Sequence, residues 1–339
     1  MNKANILVTG GLGYIGSHTS VELINNSYNV TIIDSLINSE KFILERIEKI
    51  TGEKIPFYQF DITNYKKTSE CFKENNFDFV IHFAALKSVN ESVKYPEKYM
   101  KNNLDSLKNI LKCIESQNLS GIVFSSSCTV YGQPDNLPVN ENSPFKKPES
   151  PYAETKQICE KLIEKFSEEK RKNGISLRYF NPVGAHNSSL IGELPRGIPD
   201  NLVPFVCQVA AGRLAKLKVF GNDYPTRDGT AVRDYLHVVD LADAHIKALH
   251  ELEKNRKGFI CNLGTGTGSS VLEVIDSFEK ANAIRIPYEF APRRPGDVTE
   301  AWADPTYAKK KLGWESKHGL VEMLRDAWNW QSKNPSGYK

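Results

Sequence analysis

The side chains best suited to chemistry stand at two places in the chain. Tyr152 and Lys156 open a helical stretch that follows a proline-rich loop. Four residues apart on a helix, the phenol and the ammonium point to the same side. A Tyr-x-x-x-Lys pair recurs by chance in many helices, so its meaning depends on what precedes it. What precedes it is ILVTGGLGYIGSH at residues 6–18: a short apolar run, a glycine turn and the opening of a helix. Gly11, Gly13 and Gly16 fit G-x-G-x-x-G, while Gly10, Gly13 and Gly16 fit G-x-x-G-x-x-G. Open N–H groups and the positive dipole end of that helix suit a pyrophosphate, which glycines allow close to the backbone. The next apolar run, VTIID, ends at Asp34. An acidic residue about 20 positions beyond such glycines holds the ribose hydroxyls of NAD and repels the extra phosphate of NADP. NAD is therefore the expected cofactor. A further run, GIVFSSS at 121–127, ends in Ser125, Ser126 and Ser127, the kind of place where open α/β sheets receive ligands.

The elements that must position these groups follow from periodicity. Apolar runs at 6–9, 30–34, 56–62, 77–86, 121–127 and 175–185 read as strands. Between them, helical patterns cover 40–50, 65–73, 96–117 and 152–173, besides the helix after the glycine turn. Strands alternating with helices predict an α/β fold with a doubly wound parallel sheet. From Pro182 the chain is rich in Pro, Gly and Asn and reads as a smaller substrate-facing domain. The helical 239–252 and the strand 259–266 are expected to return to the first domain. The expected division is thus 1–181 with 239–266 for the cofactor, and 182–339 for the substrate. GTGTG at 264–268 reads as a tight turn rather than a second phosphate loop.

Bulk properties exclude several classes. The 44 basic and 41 acidic residues of this 339-residue chain are interspersed, leaving a net charge of +3 and no basic stripe for nucleic acid. Six cysteines show neither C-x-x-C spacing nor clustering with histidine, which predicts no metal site, no disulfides and a reducing compartment. The first strand begins by Ile6, and no apolar run approaches the roughly 18 residues of a membrane span. A cytoplasmic enzyme without a membrane partner is expected.

Read together, TGGLGYIGSH, FAALKSV (83–89), SSSCTVYG (125–132), the Tyr152/Lys156 pair, RYFNPVG (178–184), FGNDYPTRDGTAVRDYLHV (220–238) and RRPGD (293–297) give the chain a family likeness. It resembles the UDP-glucose/UDP-galactose 4-epimerases of the extended short-chain dehydrogenase/reductase superfamily over nearly its whole length. The resemblance implies a Rossmann-type domain with tightly held NAD, a smaller C-terminal domain for a UDP-hexose, and a homodimer. It makes Tyr152 the catalytic base and acid, Lys156 its electrostatic partner, and Ser127 a donor to the sugar O4. It places Gly10, Gly13, Tyr14, Ile15, Gly16, Asp34, Ser35, Asn38, Asp61, Ile62, Phe83, Ala84, Lys87, Asn102, Ser125 and Tyr179 at the cofactor. For the UDP-sugar it implies Lys87, Phe180, Asn181, Asn201, Leu202, Phe220, Arg233, Tyr235, Arg294, Asp297 and Ala301.

The implied chemistry is reasonable for these residue types. A phenol with a reference pKa near 10 is a poor base at neutral pH, but an ammonium and a positive nicotinamide both favour the phenolate. Arg233 and Arg294 suit a diphosphate through their forked donors; an ion pair with Asp228 or Asp297 is the structural alternative. Ala301 precedes Trp302 where the family is restricted by tyrosine in some members and open in others. Alanine there predicts room for an N-acetyl group, hence UDP-GlcNAc and UDP-GalNAc as further substrates. A 4,6-dehydratase or decarboxylase on the same scaffold needs acidic residues where Cys128 and Thr129 stand. A non-catalytic NAD-binding regulator has no need of the Tyr/Lys pair, and a simple dehydrogenase exchanges its NAD.

Overall fold

A computed structural model describes residues 3–170, 172–255, 257–294 and 296–337. Its first half alternates strand and helix: β1 (Asn5–Thr9), α1 (Tyr14–Asn25), β2 (Asn29–Asp34), α2 (Phe42–Thr51), β3 (Phe57–Gln59), α3 (Tyr65–Glu74), β4 (Phe79–His82), α4 (Val89–Lys94), α5 (Pro96–Ser116), β5 (Gly121–Ser127) and α6 (Pro151–Lys170). The second half is more irregular: β6 (Asn173–Tyr179), β7 (Asn181–Val183), α7 (Leu202–Ala210), β8 (Leu217–Phe220), β9 (Val232–His237), α8 (Val238–Asn255), β10 (Phe259–Leu263), β11 (Gly268–Ser270), α9 (Val271–Asn282), β12 (Tyr288–Ala291), β13 (Glu300–Ala301), α10 (Thr306–Leu312) and α11 (Leu320–Lys333). Seven parallel strands form the central sheet in the order β10-β6-β5-β4-β1-β2-β3.

The period of two explains why both faces of that sheet are covered. Ile6 and Val8 point into one layer with Ile81, Val123 and Ile175, against α1, α2 and α8. Leu7 points the other way and joins Val80, Ile122 and Phe124 against α3, α5 and α6. The strands are therefore continuous apolar runs, as parallel strands buried on both sides must be. A separate cluster around Val206, Val219, Phe278 and Met323 supports the substrate side.

Several expected boundaries move for local reasons. The run at 77–86 is strand only over Phe79–His82, because the Asn103 side chain captures both backbone groups of Leu86 at 2.8 and 3.1 Å and turns the chain into a loop. The run at 175–185 divides at Phe180: β6 stays in the central sheet while β7 pairs with β9 in a second one. The third strand stops at Gln59, and Asp61 caps the following turn through Thr63 N at 2.9 Å. The expected strand 259–266 does return to the edge of the central sheet beside β6, but only over Phe259–Leu263, since the Thr265 and Gly266 amides turn to Asp234. Among the described residues no helix is long and apolar enough to cross a membrane.

Candidate active site

The glycine turn brings three backbone segments into contact. Gly10 has φ +67°, and a Cβ added there would lie 2.8 Å from Ala84 N; one added at Gly16 would lie 2.3 Å from Gly10 O. The turn after β1, the start of α1 and the loop after β4 are thus too close for side chains. Helix α1 begins after Gly13 with no side-chain cap and no acidic residue in its first turn, which leaves its amides available to an anion. Asp34, nearly buried at the end of β2, accepts from Leu12 N at 3.0 Å through Oδ2, and from Leu36 N at 2.9 Å and Ser39 Oγ at 2.7 Å through Oδ1. A lone pair on Oδ2 remains for a ribose hydroxyl. A backbone cradle, open amide donors and a free carboxylate acceptor are the donor set a dinucleotide needs, so these residues fit NAD.

The other residues expected at the cofactor are distributed unequally. Tyr14 donates to Gly184 O at 2.7 Å, Ile15 packs into the first layer, Ser35 is half-buried and Asn38 exposed in the loop after β2. Phe83 lies 4.8 Å from the His245 ring, Lys87 is 3.5 Å from Glu193, and Asn102 is half-buried on α5. Ile62 is a core residue of the second layer. Ser125 and Tyr179 share a hydrogen bond between their hydroxyls.

Ser127, Tyr152 and Lys156 converge, all nearly buried, where the carboxyl end of β5 meets the first turns of α6. Lys156 Nζ donates to Ser125 O at 2.6 Å and lies 4.8 Å from the Phe124 ring and 5.7 Å from the centre of the Tyr152 ring. Ser127 Oγ accepts from Thr129 N at 3.2 Å and from Thr129 Oγ1 at 3.0 Å. With both lone pairs engaged, its O–H is left to donate. Burial pushes the Tyr152 phenol far above its ordinary value, with Tyr179 adding to the rise and the Ser127 hydroxyl opposing it. Burial also pulls the Lys156 ammonium down to about 8, against the influence of Cys159 and Glu160. A charged phenolate in this pocket therefore has to be created by positive charge rather than by exposure. Burial raises the Cys128 thiol to about 12, so it stays protonated at neutral pH.

Beneath the triad lies a buried frame that sequence reading did not find. Arg178 Nε and Nη2 donate to Glu160 at 2.9 and 2.6 Å, with both side chains almost wholly buried. Ser126 also bonds Glu160, while Arg178 reaches Tyr131 at 2.7 Å. This frame fixes β5, β6 and α6 together and so sets where Tyr152 stands. Arg178 lies inside the RYFNPVG motif, yet nothing in the sequence marks Glu160 as its partner. Thr129, which orients the Ser127 hydroxyl, carried no signal either.

In the second half of the chain, two guanidiniums meet one carboxylate. Arg294 contacts Asp297 at 2.9 and 3.3 Å, and Arg233 reaches it at 3.8 Å. The ion-pair alternative for these arginines is thus realised with Asp297; Asp228 instead accepts from Thr230 and Ser270. Two cations against one anion leave a net positive charge at the place expected for a diphosphate. Phe220 lies 4.9 Å from the Arg294 guanidinium, Tyr235 is buried beside them, and the buried Tyr224 hydroxyl finds no partner among the described residues. Pro295 of RRPGD lies outside the described residues. Asn201 donates to Glu193 at 3.2 Å, Leu202 begins α7, and Asn181 begins β7. Phe180 and Ala301 form an apolar wall with Val130, Tyr131 and Cys128, and Ala301 pairs in register with Arg233. GTGTG is a turn wrapped around Asp234, whose carboxylate accepts from Thr265 N at 2.9 Å and Gly266 N at 3.1 Å.

Known proteins resemble this chain over nearly its whole length. The family model described as GDP-mannose 4,6 dehydratase matches residues 7–327. UDP-glucose 4-epimerase of Bacillus subtilis is 50% identical over 335 residues, covering 98% of each chain. Among solved structures, UDP-glucose 4-epimerase from Bifidobacterium longum in complex with NAD+ and UDP superposes with a TM-score of 0.96 at 46% identity, over 99% of this chain and 100% of that one. UDP-glucose-4-epimerase from Stenotrophomonas maltophila, with bound NAD and formylated UDP-arabinopyranose, gives 0.95 at 47% identity, over 97% and 98%.

Proposed function

The chain belongs to the UDP-glucose 4-epimerases of the extended short-chain dehydrogenase/reductase superfamily, and we infer from that membership how its own residues divide the work. The reaction is NAD-dependent inversion of C4 in a UDP-hexose through a 4-keto sugar. NAD, when bound, would supply a site that takes the C4 hydride and returns it to the opposite face of the sugar, and a positive ring that favours the phenolate. Everything else falls to the protein. Tyr152 takes the proton from O4 and later gives it back, the Ser127 O–H donates to the same oxygen, and Lys156 holds the charge that makes the phenol a base. Arg233 and Arg294 bind the diphosphate, with Phe220, Tyr235, Asn201 and Leu202 around the nucleotide.

The observation that carries this reading is the convergence of Ser127, Tyr152 and Lys156 at the end of β5. The test is to incubate purified protein with UDP-galactose without added NAD and separate the C4 epimers. Tyr152→Phe is expected to lower turnover by about 10²–10⁴-fold, the usual worth of a general base, while leaving bound NAD in place. Near-normal turnover by that variant would remove Tyr152 as the base. The dehydratase alternative is disfavoured because Thr129 directs its hydroxyl to Ser127 and offers no carboxylate.

Ala301 extends the reading to acetylated sugars. Its short side chain in the wall beside Phe180 and Cys128 supports acceptance of UDP-GlcNAc and UDP-GalNAc; no turnover of either, beside robust turnover of UDP-galactose, refutes this. We assign 1–181 with 239–266 to NAD and 182–339 to the UDP-sugar. A cytoplasmic homodimer joined through 96–117 and 152–173 completes the assignment, with sedimentation at twice the chain mass as its check.

A further inference from the structure

Arg196 lies in the segment between β7 and α7, far in sequence from the cofactor loops. Its guanidinium donates to Ile37 O at 2.6 Å, to Leu36 O at 3.2 Å and to Ser39 O at 3.0 Å. A fourth contact reaches the Glu40 carboxylate at 3.0 Å. Three carbonyls of one short loop are therefore gathered by one planar fork, a task that arginine geometry suits and a lysine cannot reproduce. The loop so gathered is the one that leaves Asp34, whose carboxylate binds Leu36 N, Ser39 Oγ and, on the glycine turn, Leu12 N.

The backbone of this loop is itself held in an unusual state. Leu36 has φ +59°, a left-handed conformation that a branched side chain adopts only where its surroundings impose it. Two groups impose it here, Asp34 from inside the loop and Arg196 from the substrate region. The Asp34 carboxylate and the Ser39 hydroxyl are bonded to each other within this loop.

We propose that Arg196 is a positioning residue for the cofactor, clasping residues 36–39 so that Asp34 stays set for the adenosine ribose and NAD is retained between turnovers. The clasp acts through the backbone carbonyls; the exposed pair with Glu40 contributes little, since both side chains are about half in solvent. The inference rests on NAD being the resident cofactor.

The experiment compares wild type, Arg196→Ala, Arg196→Lys and Glu40→Gln after identical purification. NAD per chain is measured after gel filtration, and its rate of loss is followed on dilution. Arg196→Ala is expected to lose NAD about tenfold faster, the effect of removing charge-assisted bonds at a partly solvated site. Arg196→Lys should fall close to it, and Glu40→Gln should stay within about twofold of wild type. With saturating NAD, the turnover of Arg196→Ala and its melting temperature should match wild type, which a general structural defect would not allow. Unchanged NAD loss in Arg196→Ala overturns the proposal, as does an equal loss in Glu40→Gln, which would shift the effect to the ion pair. A wild-type protein isolated without NAD would instead overturn the cofactor assignment, and no variant would then differ from it.

Discussion

Lys156→Met removes a positive charge without removing bulk, which isolates what the ammonium does for the phenol. At 5.7 Å from the centre of the Tyr152 ring, a unit charge in a medium of effective dielectric about 20 stabilises a phenolate by about 3 kcal/mol. That corresponds to about two pKa units and about a hundredfold smaller phenolate fraction at neutral pH. Turnover of UDP-galactose at pH 7, assayed by separating the C4 epimers with saturating NAD, is expected to fall by about that factor. The pH profile gives a sharper test because the sign changes. Burial holds Lys156 at about 8, so the ammonium is charged below that pH and is lost above it. Wild-type turnover should therefore decline above about pH 8, the break belonging to the coupled Tyr152/Lys156 pair rather than to either group. In Lys156→Met nothing is left to discharge, and turnover should rise with pH as the phenol begins to ionise. Activity within about threefold of wild type at pH 7, or retention of the wild-type break near pH 8, refutes the reasoning.

Two other substitutions test the walls and the frame. Ala301→Tyr inserts a ring into the wall shared with Phe180 and Cys128; it should reduce turnover of UDP-N-acetylgalactosamine by about tenfold or more while leaving UDP-galactose largely unaffected, as a side-by-side assay of the two sugars will show. Arg178→Met strands the buried Glu160 carboxylate, and breaking such a pair should cost about 3–5 kcal/mol, read as a lowered urea midpoint at unchanged slope.

The central sheet was legible in the sequence because parallel strands buried on both faces are written as unbroken apolar runs, and α2, α3 and α5 between them show a 3.6-residue stripe, whereas the short α4 was not read. The glycine turn was legible for a stereochemical reason: Gly10 and Gly16 stand where a Cβ would meet backbone. What could not be read depends on contacts between distant segments. Apolar character continues through 77–86, yet the strand ends at His82 because Asn103, on α5, takes both backbone groups of Leu86. The partnership of Glu160 with Arg178 has no periodic or compositional mark. Nor does any motif say that Arg196 reaches the loop after β2, since three carbonyl acceptors carry no side-chain identity. At the triad the sequence supplied the helical spacing of Tyr152 and Lys156, but not the burial that opposes ionising the phenol.

That burial and the placement of charge bear on how the proposed site would act on both faces of a sugar. Arg233 and Arg294 are concentrated around Asp297, where the proposed function has them grip a diphosphate with charge-assisted bonds. The apolar cluster of Phe180, Ala301 and Cys128 carries no charge, its thiol kept neutral by burial. On the proposed function, strong bonds at the anchor and weak ones at the hexose would let a keto sugar turn without releasing its nucleotide. A new charge in the wall should upset this balance. Ala301→Lys should trap the sugar in one orientation, slowing epimer formation more than it slows the first hydride removal, which absorbance of the reduced cofactor reports. Equal slowing of both steps would show that the weak wall has no part in letting the sugar turn.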